Sequence, residues 1–157
     1  MVQVVTIGAY GWDKASFFEA LVRERVGTFC DLRRRRGVRG AEYAFVNSAR
    51  LQARLCELGI GYQHRLELAP SAALRRAQAE ADAHAGVAKR DRAQLGSAFE
   101  AAYVEDCLSD FDAERFLSDV GAPVCLFCVE REPRACHRSL VADRLARLGA
   151  TVEHLLP

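Results

Sequence analysis

The sequence has little of several features that would assign it to a special class of protein. Its 22 Lys and Arg are balanced by 21 Asp and Glu, which gives a formal net charge of only +1. Binding driven by bulk charge alone is therefore excluded. No apolar run approaches the roughly 18 residues of a membrane-spanning segment, and no basic segment with a cleavage site opens the chain. We expect a soluble, cytoplasmic protein that does not contact a membrane.

What the sequence has is the composition of an ordinary globular protein. Half of its 157 residues are hydrophobic and 27% are charged. A chain of this length buries roughly 70% of its extended surface on folding, so we expect one domain spanning residues 1–157. Six cysteines occur in the chain. In this context they predict free thiols in a reducing compartment and not a disulfide framework.

Short apolar runs alternate with helical patterns along the chain. The runs predict strands at 2–7, 28–32, 60–66, 123–129 and 151–156. A mainly helical insertion is expected at about 71–118, and its weakly apolar first part, 72–92, is a candidate lid. The alternation predicts an α/β fold: a single three-layer, Rossmann-like domain with a mainly parallel sheet of about five strands. We take the strand order 3-2-1-4-5 as the working hypothesis.

The strongest chemical signal is the segment from Cys128 through Glu130 to Cys136-His137-Arg138, because it follows a buried strand and opens a helix. Parallel α/β sheets bind ligands where strand carboxyl ends meet helix N-termini. Cys136 is a candidate nucleophile, since a thiol at a helix N-terminus near arginines acquires a depressed pKa. A packing role for Cys136 stays open. Glu130 is a candidate base or nucleophile, or an acceptor for ligand hydroxyl groups.

Further residues at the predicted strand ends are candidates for ligand binding. Arg138 could contact an anion at the helix start or pair with a surface carboxylate, and His137 could be a base or a packed residue. Asp31 has the placement of a ribose-binding acid. The predicted ligand-binding set is Gly8, Tyr10, Asp31, Arg33, His137 and Arg138. It points to a phosphorylated or nucleotide-like small molecule, on which a transferase or hydrolase could act through Glu130 or Cys136.

No cofactor or metal is predicted. A full Gly-x-Gly-x-x-Gly motif is missing, which argues against ordinary dinucleotide binding. Cys125-x-x-Cys128 followed by Cys136-His137 contains the residue types of a zinc site. However, we expect Cys125 and Cys128 to lie within one strand, where an odd separation directs their side chains to opposite faces.

The motifs together resemble a known family. They are Thr6-Ile7-Gly8, Asp31-Leu32-Arg33, Gly59-Ile60-Gly61-Tyr62, Cys128-Val129-Glu130, Cys136-His137-Arg138 and Val152-Glu153-His154. In this order they are similar to the bacterial family catalogued as domain of unknown function 488. The resemblance spans nearly the whole chain, with Cys-x-Glu followed by Cys-His-Arg as its most specific element. It implies a single α/β domain and marks these positions as a site, without supplying a reaction.

Two segments depart from the family pattern. The chain has Ala9-Tyr10-Gly11 where many members have His-Ser, which puts a hydroxyl contact in doubt. It has Leu66-Glu67-Leu68-Ala69-Pro70 where many members have Leu-Gly-Gly. The second change replaces a close backbone approach with a bulkier, stiffer segment, so the ligand could differ from that of Leu-Gly-Gly members.

The alternative function is a nucleic-acid-binding module. Five arginines lie between Arg33 and Arg39, interleaved with glycine and followed by Tyr43 and Phe45. Such a loop could follow a phosphate backbone and stack a base. The near-zero net charge instead favours a solvated loop whose charges pair with acidic helices. A purely structural or partner-binding domain is the third possibility, and the sequence does not predict an oligomeric state.

Overall fold

The computed structural model describes all 157 residues and contains one sheet of five parallel strands. The strands are β1 (Gln3–Ile7), β2 (Thr28–Asp31), β3 (Gly61–His64), β4 (Val124–Phe127) and β5 (Thr151–Leu155). β2 and β4 are buried throughout, as is β1 after its first residue, whereas β3 and β5 are the partly exposed edges. The predicted α/β class with a parallel, five-stranded sheet is confirmed.

Six α-helices connect and cover the strands. They are α1 (Lys14–Arg23), α2 (Ser48–Glu57), α3 (Ala72–His84), α4 (Ser97–Tyr103), α5 (Ala113–Asp119) and α6 (Arg138–Ala146). Four short 3-10 turns lie at Ala44–Val46, Leu66–Leu68, Lys89–Asp91 and Pro133–Ala135, and a π-helical turn spans Val104–Leu108. None of these helices combines the length and the apolar character needed to cross a bilayer.

The strand order is β3-β2-β4-β1-β5, which corrects the working hypothesis. β1 and β4 have exchanged places: Val124 of β4 pairs with Val4 of β1 on one side and with Thr28 of β2 on the other. Both strands are deeply buried, and a buried apolar run does not reveal which other strand adjoins it. β1 and β4 are neighbours in either order, so the ends of these two strands still meet.

The two faces of the sheet pack against different helices. On β4, Cys125 and Phe127 face the cluster formed with α1 and α2, whereas Val124 and Leu126 face the cluster formed with α4, α5 and α6. This alternation is the two-residue period of a strand covered on both faces. α3 differs, because Gln78 is its only buried residue and it packs on α4. It therefore stands away from the sheet and forms a wall above the strand ends.

Candidate functional site: a basic cleft at the strand carboxyl ends

A cleft of about 640 Å³ opens where β1, β2 and β4 end, and α3 and the Lys89–Asp91 turn form its outer wall. Its charge is strongly unbalanced. Nine basic side chains line it, namely Arg33, Arg34, Arg35, Arg39, Arg75, Arg76, Lys89, Arg90 and Arg92. Only two carboxylates do so, Asp82 and Glu130. A protein of nearly zero net charge thus concentrates positive charge in one concave surface.

The loops after β1 and β4 form the floor of the cleft and pack directly against each other. The backbone N–H groups of Ala9 and Tyr10 both donate to the Val129 carbonyl at 3.0 Å. A Cβ atom at Gly8 would overlap the backbone carbonyl of Glu130, so only glycine permits this approach. Gly8 is buried beneath that carbonyl and does not line the cleft itself, whereas Tyr10 does.

Glu130 ties the helical insertion to the end of β4. Its Oε1 atom accepts from Arg92 Nη2 at 3.2 Å and lies 3.5 Å from Lys89 Nζ. Arg92 also pairs with Asp82 at 2.7 Å and donates to the Ala135 carbonyl. The Glu130 side chain is only 8% exposed, yet its Oε2 atom has no hydrogen-bond partner. Oε1 therefore connects the insertion to the end of β4, and Oε2 is available to accept a hydrogen bond.

The electrostatic surroundings of Glu130 limit its chemistry. Burial by itself raises the pKa of this carboxyl, but Lys89, His137 and the nearby Cys128 thiol outweigh burial and lower the pKa to about 2. Glu130 is consequently ionised at neutral pH and is a weak proton acceptor there. The predicted role as a general base receives no support from these surroundings.

Asp31 and Arg33 form a buried ion pair at the end of β2. Arg33 donates to both carboxylate oxygens, at 2.9 Å and 2.8 Å, and Tyr62 Oη donates to the same group at 2.8 Å. Asp31 is 0% exposed and does not line the cleft. Protein donors already occupy its oxygens, so the acid predicted to bind a ribose holds the arginine loop instead.

Arg138, predicted as an anion contact, is also fully buried and does not line the cleft. Its guanidinium donates to the backbone carbonyls of Glu130 at 2.6 Å and Arg131 at 3.0 Å. Its Nε lies 3.4 Å from Thr6 Oγ1. These bonds fix the path of the loop between β4 and α6, because backbone carbonyls that are buried require donors.

Cys128, Cys136 and His137 meet at the floor of the cleft, and all three are buried. One ligand atom from each lies within 4.8 Å of the others. Cys128 lies one residue beyond β4, so strand alternation does not set its direction, and Cys125 and Cys128 belong to the same apolar cluster. The expectation that Cys125 and Cys128 lie within one strand, with side chains on opposite faces, was therefore wrong. Cys125 stays in the core, outside the three-residue group.

Sequence reasoning singled out Arg34, Arg35 and Arg39 only as part of the loop in the nucleic-acid alternative, and it missed the cations that the insertion supplies. The missed residues are Arg75, Arg76, Lys89, Arg90 and Arg92. The pairs Arg75-Arg76 and Lys89-Arg90 are local clusters of basic residues that could have indicated it. Tyr10 also gains a cationic neighbour from the insertion, since the Arg90 guanidinium lies 5.1 Å from its ring centroid.

Fold and cleft together define a parallel α/β protein with its candidate ligand site at the carboxyl ends of the strands, the usual position in open sheets of this class. Residues 14–145, most of the chain, match the family described as domain of unknown function DUF488. The chain belongs to that family, as the motifs indicated. No curated protein and no solved structure matches it.

Proposed function

We propose that the protein binds a small phosphate-bearing molecule, nucleotide-like in size, in the basic cleft. One observation carries the proposal: five of the nine cationic side chains that line the cleft make no salt bridge. These are Arg34, Arg35, Arg39, Arg75 and Arg76. Guanidinium groups that lack a carboxylate partner and gather in a concave surface attract anions, and they bind phosphate with a fork of parallel donors.

Mutual repulsion among these arginines supports the same conclusion. Burial lowers the pKa of Arg75, and the positive charges of Arg35 and Arg34 lower it further. Arg75 Nε is buried without a hydrogen-bond partner. A bound phosphate would supply both the missing acceptor and the compensating charge, which is worth more in a partly desolvated site than in water.

The shape of the cleft favours a small molecule over a nucleic acid. A volume near 640 Å³ falls in the range of small-molecule sites, roughly 300–1,000 Å³. Within the arginine-rich loop, Arg33 is buried against Asp31 and Arg36 contacts Tyr62, so only Arg34, Arg35 and Arg39 are exposed. Tyr10 also lines the cleft, with the Arg90 guanidinium 5.1 Å from its ring centroid.

The proposal is for binding, without an assigned reaction. Of the two residues predicted to be catalytic, Glu130 is engaged by Arg92 and Lys89 and has too low a pKa for an effective base. Cys136 lines the cleft but is 1% exposed, and its sulfur accepts from the Arg138 backbone N–H at 3.4 Å. These contacts hold Glu130 and Cys136 in place at the floor of the cleft, beneath the proposed ligand.

Calorimetric titration with pyrophosphate and with ADP tests the proposal. The parent protein should bind at least one of them, and Arg35→Ala and Arg75→Ala should each weaken that binding about tenfold or more, the value of a charge-assisted hydrogen bond. Arg50→Ala is the matched control, because Arg50 is exposed on α2 and outside the cleft.

Two results would overturn it. One is binding that Arg50→Ala weakens as much as Arg35→Ala does, which would indicate non-specific attraction. The other is no binding of either small anion, together with tight, steeply salt-dependent binding of a single-stranded oligonucleotide. That salt dependence is the signature of phosphate-backbone contacts, and it would favour the nucleic-acid alternative.

A further inference from the structure

We infer that Cys128, Cys136 and His137 form a binding site for a thiophilic divalent metal ion of the Zn²⁺ type, with a fourth coordination position open to the cleft. The inference is independent of the phosphate-bearing ligand proposed above. It rests on three side chains from the two ends of one loop: Cys128 follows β4, and Cys136 and His137 precede α6. Cysteine and histidine are the ligands that Zn²⁺ prefers.

The distances suit a tetrahedral ion. All three ligand atoms lie within 4.8 Å of one another, and Cys136 Sγ is 3.7 Å from His137 Nδ1. Bonds of about 2.3 Å to sulfur and about 2.0 Å to nitrogen place two ligand atoms of a tetrahedral zinc roughly 3.5 Å apart. The present separations, 3.7 Å for one pair and at most 4.8 Å for the others, are thus close to the spacing that a bound ion imposes.

The tautomer of His137 is the one that a ligand requires. Its Nε2 atom lies 2.9 Å from the Leu32 carbonyl oxygen, which can only accept a hydrogen bond. In the neutral ring the proton is consequently on Nε2, and Nδ1 carries the lone pair beside Cys136. A histidine whose second nitrogen donates to a backbone carbonyl is the common arrangement around protein-bound metals.

The charge around the group also fits. Two thiolates neutralise a divalent ion, and the neighbouring cations Arg92 and Lys89 already have Glu130 as their partner. The backbone N–H of Arg138 donates to Cys136 Sγ at 3.4 Å, a contact that stabilises a thiolate ligand. Metal binding converts two thiols to thiolates and releases two protons.

The open position gives the site a chemical role. All three residues line the cleft, as does Glu130, whose buried Oε2 atom has no hydrogen-bond partner. Three protein ligands with one open position is the pattern of zinc sites that bind water or substrate, whereas structural zinc sites are closed by four. The free carboxylate oxygen is an acceptor for a molecule bound at that fourth position.

Titration of the reduced, chelator-treated protein with Co²⁺ tests the inference, because Co²⁺ reports ligand type and geometry by its absorption. We expect strong tetrahedral visible bands, a near-ultraviolet thiolate-to-cobalt band, saturation at about one ion per chain, and displacement by Zn²⁺. About two protons should be released per ion in weakly buffered solution. Cys136→Ser and His137→Gln should weaken binding at least tenfold, whereas Cys56→Ser, at an exposed cysteine on α2, should not.

Two results of the titration would overturn the inference. One is the absence of a thiolate-to-cobalt band from the parent protein at equimolar Co²⁺, and the other is equal binding by Cys136→Ser and Cys56→Ser. Alkylation mapped by mass spectrometry gives a reading that needs no variant. Zn²⁺ should slow the alkylation of the buried Cys128 and Cys136 in the parent and leave the rate at Cys56 unchanged. Measurable and equal rates at Cys128 and Cys136 with and without Zn²⁺ would reject the site.

Discussion

Two buried arginine–carboxylate pairs stand at the ends of the neighbouring strands β2 and β4, and they are built differently. Asp31 and Arg33 are two residues apart, and protein donors occupy both oxygens of Asp31. Glu130 and Arg92 are 38 residues apart, and one oxygen of Glu130 has no partner. In the closed pair, Asp31 lies outside the cleft and only Arg33 lines it, whereas both residues of the open pair line the cleft. A carboxylate with both oxygens bonded marks the structural pair, and a buried carboxylate oxygen without a partner marks the site.

Asp31→Asn should have the largest effect on stability. It leaves the Arg33 guanidinium buried without its counter-charge, and breaking one partner of a buried pair costs about 3–5 kcal/mol. Urea unfolding of the variant and of the parent measures this loss. Asp110→Asn, at an exposed residue, is the control and should change little. A loss below about 1 kcal/mol for Asp31→Asn would contradict the structural role of the pair.

Glu130→Gln should cost less, about 1–3 kcal/mol, because Arg92 keeps Asp82 and the Ala135 carbonyl as partners. The same variant should loosen the insertion, since Glu130 links it to β4 through both Arg92 and Lys89. Limited proteolysis should then cut within residues 72–92 faster than in the parent. If Glu130→Gln destabilises as much as Asp31→Asn, the distinction between an open and a closed pair fails.

A third buried arginine, Arg138, allows a smaller test through His154 on β5. Burial lowers the pKa of His154, and the charges of Arg138 and Arg134 lower it further. The folded state therefore prefers the neutral ring. Its contribution to stability is complete above the unfolded pKa of about 6.5 and is lost as the pH falls through the lower folded value. The parent should lose more stability than His154→Gln between about pH 7.5 and pH 5, by urea unfolding. Parallel losses in the two proteins would contradict this assignment.

The sheet was predictable because its signals are local. The apolar runs of β1 and β4 are read directly from neighbouring residues. The order of β1 and β4 was not predictable in this way. The strand order depends on which side of the sheet each connection crosses. The sequences of two buried strands do not indicate which other strands adjoin them.

The candidate site was predictable only in part, for the same reason. Tyr10, Arg33, Glu130, Cys136 and His137 line the cleft because residues that follow parallel strands gather at one edge. Gly8 packs beneath it, and Asp31 and Arg138 support its loops. Arg75 and Arg92 come from an insertion whose contacts with the strand ends span tens of residues. No local pattern places them there. The role of residues 72–92 as a lid stays a prediction.

Nuclear magnetic resonance of the arginine Nε–H groups during a pyrophosphate titration tests the central claim most directly. We predict saturable shifts at Arg35 and Arg75, which line the cleft without a carboxylate partner. Arg54 and Arg115 pair with Glu57 and Asp119 on exposed helices and should not respond. Unchanged signals from Arg35 and Arg75, or equal shifts across all four residues, would contradict a specific anion site in the cleft.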